Sequence, residues 1–372
     1  MTSEAGETVG QPRRHILALD GGGVRGIVTL HALDAFERRF GARACDFFDM
    51  FAGTSTGAVI AALLAFARLS SREILALYDE TIDRVFEPGL ASSQLGRLLA
   101  RRIYSRDAAL ALLADVFGET TLEALADRRP ENPQAILLTT HDMVRDEELF
   151  LSNFPFRSGK PNFGRTWRVR DAVAASAFSA PWYFGPYEGR FIDGGVTVFN
   201  TPARQAVVEA LDYCASPLFE AGRTVLWSFG SGRFEMPFRT GDGDGWRPWS
   251  WAARLFEDIQ GDAEADQIYG AARMARKREI EFRRYQVTVG DETLALLGVA
   301  PSVELPIALD RADAREFLHQ VGRRFAERID WEDPTGFLLR PAFRDPLCDP
   351  ALWRSSEPPP AAPPQAPSVR MG

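Results

Sequence analysis

The sequence predicts an α/β layered protein. Two observations carry that prediction. Short apolar stretches that read as strands alternate with periodic apolar stretches that read as helices. At two strand ends, residues 21–26 and 53–57, a glycine-rich turn leads directly into a helix. A hydrophobic content of 45% over 372 residues is ample for a packed core, in one large domain or two. The 43 basic and 51 acidic residues leave a net charge of −8, interspersed rather than in blocks. That balance argues against broad nucleic-acid binding and gives no polybasic attraction to anionic lipid.

The first strand spans 15–19 within His-Ile-Leu-Ala-Leu-Asp, and Gly21, Gly22, Gly23, Val24, Arg25 and Gly26 follow it. A periodic apolar helix then runs to Phe40. Consecutive glycines between a strand and a helix let backbone N–H groups converge on one point, where the helix dipole adds positive potential. Such a nest binds a phosphate or the oxyanion of a tetrahedral acyl intermediate. The loop has no Gly-Lys-Ser/Thr ending and no G-x-G-x-x-G followed by a ribose-binding acid, which favours the oxyanion. Arg25 reads either as a surface residue or as a clamp that orders the loop.

An apolar second strand at 47–52 runs into Gly53-Thr54-Ser55-Thr56-Gly57, and a small-residue apolar helix continues to 67. This is a G-x-S-x-G nucleophile elbow in the context it requires: strand, sharp turn, helix. Helices are expected at 71–85, 105–117, 169–177 and 201–213, and strands at 135–141, 189–192 and 224–229. Segments 86–104 and 152–167 interrupt the order and read as ordinary surface loops or as covers over the site. The strand at 189–192 ends in Asp193-Gly194-Gly195, which in isolation is an ordinary Asp-Gly turn. The histidine census gives that turn more weight. Only four exist, His15, His31, His141 and His319, and each stands in a strand or on a helix face rather than in a catalytic loop. An aspartate acting directly on the serine is therefore a candidate base, beside a conventional triad.

Later elements are less specific. A glycine- and aspartate-rich stretch at 240–249 carries Trp246 and Trp249, with Trp251 just beyond. These tryptophans either pack the following helix, 250–280, or meet a lipid–water boundary together with Phe154 and Phe156. Another helix is expected at 311–329, and 357–367 is a proline- and alanine-rich tail. Residues 1–13 are polar and expected to be disordered, with no signal-peptide core, and no run approaches a membrane span. Cys45, Cys214 and Cys348 are odd in number and lack metal spacing, as in a reduced, cytosolic-type protein.

Taken in order, Gly21–Gly26, Gly53–Gly57 and Asp193–Gly195 resemble the motifs of the patatin-like phospholipases. Residues 174–181 and 225–232 look like two further family segments. The resemblance covers roughly 14–235 with motifs and fades towards 330. It implies a three-layer α/β/α fold with a mainly parallel central sheet and a bacterial, cytoplasmic lipid acyl hydrolase using a Ser55–Asp193 dyad. No metal or cofactor is expected. Gly22 and Gly23 are the expected oxyanion donors, Thr56 a further one, with Gly21, Arg25 and Gly26 shaping the loop. The expected organisation is a disordered 1–13, a catalytic core at 14–235, a mostly helical extension at 236–340 packed on it, and a disordered 341–372. The expected partner is membrane phospholipid, met peripherally without a stable anchor, and not nucleic acid. A small-molecule activator and the oligomeric state are left open. Competing readings are a general carboxylesterase or acyltransferase, a phospholipase effector switched on by a nucleotide second messenger, and a catalytically silent binding module.

Overall fold

A computed structural model describes residues 13–87, 102–128, 133–215, 219–235 and 243–332. The expected disordered ends, Cys348 and most of the expected cover at 86–104 lie outside these residues. Among the described residues the central sheet has seven strands, and β7 (Arg233–Phe234) pairs with β9 (Thr288–Val289) apart from it. Six run in the order β4 (Glu147–Ser152), β3 (Ala135–Asp142), β2 (Met50–Gly53), β1 (Arg14–Leu19), β6 (Thr224–Phe229) and β8 (Glu281–Tyr285), and β5 (Phe191–Asp193) pairs with β3. The β3–β2–β1–β6–β8 ladders are parallel, and β4 and β5 join β3 antiparallel. The sheet is thus mainly parallel, as expected.

Strand alternation sorts the core into two layers. Leu17, Leu19, Phe51, Ile136 and Phe229 face helices Gly26–Phe40, Thr56–Ala62 and Val169–Ala177. Ile16, Ala18, Met50, Ala52 and Leu137 face the helix Ala203–Val208 and the long helix Pro248–Lys277. Both faces of a parallel sheet must be covered in this way.

Three expectations need correction. The run at 47–52 is split. Residues Ala44–Phe47 form a short helix and the ladder begins only at Met50, because Phe47 and Phe48 turn into an aromatic cluster with Phe36 and Trp227. The Asp-containing strand is shorter and lies at Phe191–Asp193. Phe154 is buried on the core face formed with Ile16 and Leu137, so it cannot reach a membrane, while Phe156 is half-buried and packs against that cluster. Beyond residue 235 the chain adds more than helices: β8 lies beside β6 as a strand of the same sheet. Helix Arg315–Ala326 packs on helix Gly26–Phe40.

Candidate active site

The elbow is built by close approach. Ser55 sits between the last residue of β2 and the first of helix Thr56–Ala62, with φ 53° and ψ −126°, a conformation that non-glycine residues hold only under constraint. A Cβ on Gly53 would lie 2.3 Å from the Gly57 carbonyl oxygen, and one on Gly57 2.3 Å from that of Leu19. Only glycine fits either flank. The turn is also held from outside. The Thr54 hydroxyl donates to the Phe199 carbonyl at 2.7 Å and lies 2.7 Å from the Thr139 hydroxyl, and Ser55 N–H donates to Ser176 Oγ at 3.2 Å.

Asp193 is brought to Ser55 by β5, whose pairing sets it opposite Thr140. Ser55 Oγ donates to Asp193 Oδ2 at 2.8 Å, and Gly195 N–H donates to Oδ1 at 2.7 Å. The carboxylate is only 3% exposed. Burial pushes its pKa up to about 7, opposed in part by the Gly195 N–H and the Ser55 hydroxyl. A carboxylate so placed is half ionised near neutrality and can accept a proton from the serine. The histidines are engaged elsewhere. His15 accepts from Trp227 Nε1 at 3.1 Å, His31 and His319 bond each other at 2.9 Å, and His141 lies 3.2 Å from Glu148.

The glycine loop divides its labour. Gly21 N–H donates to the Asn200 carbonyl at 2.9 Å, and Gly26 N–H to the carbonyls of Gly23 and Val24. These two glycines provide room: a Cβ on Gly21 would meet Asn200 Oδ1 and Ser55 Cβ, and one on Gly26 the Thr56 hydroxyl. The amides of Gly22, Gly23 and Thr56 have no internal acceptor among the described residues. Gly23 holds φ +55°, and a Cβ there would strike the Leu309 carbonyl at 2.2 Å. Arg25 is a clamp: its guanidinium donates to the Gly22 carbonyl at 3.2 Å and to that of Gly232 at 3.4 Å.

Gly23, Ser55 and Thr56 border one cleft of about 830 Å³, counting its open side. Its remaining walls are mostly apolar, with Val59, Leu63, Ile82, Leu113, Val116 and Phe178 among them. Tyr78 also lines it, its hydroxyl 2.6 Å from that of Thr56. Among the described residues the lining is almost wholly apolar, which suits a hydrocarbon chain. Among the described residues no group of three His, Cys, Asp or Glu could hold a metal ion. No helix there is long and apolar enough to cross a membrane.

The profile of the family described as "Patatin-like phospholipase" matches residues 17–207, which contain all three glycine-flanked motifs. The chain belongs to the patatin-like phospholipase family. Within that family it is similar to the 85/88 kDa calcium-independent phospholipase A2 of Rattus norvegicus, 31% identical over 54% of this chain and 24% of the rat protein. It is also similar to the cUMP-AMP-activated phospholipase of Escherichia coli, 30% identical over 52% of this chain and 58% of that one. The chain thus spans about a quarter of the rat protein and somewhat over half of the bacterial one. Among solved structures, the type III effector protein ExoU aligns over 85% of this chain and 52% of its own, at 16% identity and a TM-score of 0.35.

Sequence reasoning brought Ser55, Asp193 and the glycine loop together and missed three residues at the same place. Ser176 holds the elbow amide, Tyr78 reaches Thr56, and the Asn200 side chain fills the space beside Gly21 and Gly195. Tyr78 and Asn200 are common residues with no motif of their own, whereas Ser176 lies in the 174–181 segment, whose contact with the elbow amide the sequence did not reveal. Trp246 packs at 5.0 Å on Trp251, which lies in the first turn of the long helix Pro248–Lys277 and is 38% exposed. The side chain of Trp249 lies outside the description.

Proposed function

We propose that this patatin-like protein is a lipid acyl hydrolase that cleaves fatty-acyl esters of glycerophospholipids. The observation that carries the reading is the 2.8 Å Ser55–Asp193 pair at the edge of an apolar cleft. Ser55 Oγ attacks the ester carbonyl as Asp193 takes its proton. The carbonyl oxygen becomes an oxyanion, met by the amides of Gly22 and Gly23 with Thr56 N–H as a further donor. Collapse expels the lysolipid alcohol, which receives the proton from Asp193, and leaves the acyl group on Ser55. Water then gives a proton to Asp193 and attacks the acyl carbon; collapse breaks the bond to Ser55 Oγ, which takes that proton back from Asp193 as the fatty acid leaves. The cleft supports a long acyl chain over the small substrate of a general esterase, because its apolar walls reward each buried methylene by about 0.8 kcal/mol.

The decisive experiment is labelling with a long-chain fluorophosphonate, followed by digestion to locate the adduct. Label on Ser55, absent from Ser55→Ala and scarce in Asp193→Asn, is the expected result. An unlabelled parent chain would instead favour the silent binding module. Membrane phospholipid is met peripherally in this reading, by a cytoplasmic, bacterial enzyme. An activating nucleotide is a second element of the proposal, motivated by the name of the Escherichia coli relative. It is tested by adding cyclic dinucleotides to the vesicle assay, where unchanged turnover would remove it.

A further inference from the structure

The oxyanion loop is tied down from a part of the chain that the family profile does not reach. Asp20, the residue before Gly21, carries a buried carboxylate gripped by Arg284 of β8, with Nη1–Oδ1 at 3.0 Å and Nη2–Oδ2 at 2.5 Å. Both side chains are 2% exposed. β8 is not adjacent to β1; β6 lies between them, and Arg284 reaches across it by donating to Ser228 Oγ at 2.8 Å. Arg284 also donates to Glu264 of helix Pro248–Lys277 at 3.1 Å, and Gln286 donates to the same Glu264 oxygen at 3.1 Å. Gln286 Oε1 accepts the Gly232 N–H at 2.9 Å. The neighbouring Ser231 hydroxyl donates to the Gly21 carbonyl at 2.7 Å. The path therefore closes on itself: Asp20, Arg284, Glu264, Gln286, Gly232, Ser231, Gly21 and back to Asp20.

The ring holds both the Asp20 carboxylate and the Gly21 carbonyl at the start of the nest. Its Ser231 hydroxyl lies 2.1 Å from where a Cβ of Gly22 would stand, so Ser231 also sets how far Gly22 can settle back. Arg25 adds a strut between Gly22 and Gly232. A buried ion pair is a poor device for stability alone, since apolar residues of similar volume often serve as well or better. It is a good device for fixing direction, because a guanidinium fork bonded at both teeth permits little rotation. Oxyanion donors contribute to rate only while they are aimed at the developing charge.

We propose that Ser231, Arg284 and Gln286 are positioning residues of the hydrolysis, holding the Gly22–Gly23 amides at the angle the oxyanion requires. The inference rests on the acyl-hydrolase reading above. It also makes the working centre larger than the matched stretch 17–207.

The test uses the full chain and three variants: Ser231→Ala, Gln286→Ala and Arg284→Lys. Active sites are counted by end-point fluorophosphonate labelling, so that kcat is expressed per intact site. The expected result is a kcat per titrated site lower by about ten-fold or more, with KM held within about two-fold and the midpoint of the pH profile unmoved. A purely structural role would lower the melting temperature and the number of titrated sites but leave kcat per site at the parent value. That outcome in the variants would overturn the proposal. Should Arg284→Lys fail to fold, Ser231→Ala decides, since it deletes one hydroxyl and leaves both buried charges paired. A parent chain that neither labels nor turns over removes the hydrolase reading and this inference together. A parent that does both, with variants that match it, removes this inference alone.

Discussion

Asp193→Asn should make the protein more stable and inactive at once, and the gain should depend on pH. The Asp193 carboxyl is pushed from 3.8 in an open chain to about 7 in the fold, chiefly by burial. Below the lower value both states are protonated and the group is neutral in its effect. As pH rises, the unfolded chain ionises first, so the folded state loses ground until the buried carboxyl also ionises near 7. Three pH units correspond to about 4 kcal/mol, an upper figure for what ionisable Asp193 costs the fold above neutrality. Asparagine keeps the shape, can still accept from Gly195 N–H, and never ionises. Melts in urea at about pH 4 and about pH 8 should show little difference between parent and variant at the lower value and a clear advantage for the variant at the higher. Activity runs the other way in the parent: kcat/KM should climb about ten-fold between about pH 6 and pH 8 as the base ionises. A flat pH profile, or a stability difference that does not change with pH, would refute the assignment of a buried, neutral-range base to Asp193.

Other expectations follow from the same geometry. Ser55→Gly should abolish ester hydrolysis yet stabilise the fold by about 1–3 kcal/mol, since the elbow conformation suits glycine; equal or lower stability in urea melts would count against strain at this residue. Gly22→Ala, whose new methyl would collide with the Ser231 hydroxyl, should cut turnover by about 100-fold while the circular dichroism spectrum stays native. Ile82→Trp should fill the cleft one helical turn beyond Tyr78, so that kcat/KM falls for long-chain esters and holds for short ones in a chain-length series. Loss on both would place the acyl chain elsewhere. Phe154→Ala should cost about 3–5 kcal/mol in stability without selective loss on vesicles, because Phe154 is core.

The legible parts of the site were those whose chemistry is local. A serine between two glycines after a strand, three glycines before a helix, and an aspartate before two glycines each state their geometry within a few residues. The Arg284–Asp20 pair states nothing locally. β8 reads Glu-Phe-Arg-Arg-Tyr, a sequence that passes for exposed surface, and only its register against β6 shows that Arg284 points into the protein. β4 was missed for a related reason: Glu147 and Glu148 open it, and its pairing with β3 depends on a tight turn around Asp146 at φ 56°. The split at Phe47 came from aromatic packing that outweighs a strand-like apolar run. Phe154 misled in the opposite sense, because a Phe-Pro-Phe sequence reads as loop while its first ring is anchored in the core.

The order in which β1 and β8 leave the ribosome gives the Arg284–Asp20 bridge a temporal meaning. Synthesis proceeds from the N-terminus, so the serine, its base and the glycine nest all emerge before the arginine that fastens the nest. At about 5–20 residues per second the interval between Asp193 and Arg284 is roughly 5–20 s. On the positioning proposal above, Ser55 stands throughout that interval without the arginine that aligns the glycine nest. On the proposed hydrolase reading, ester cleavage would become competent only once the last described strand of the sheet is in place.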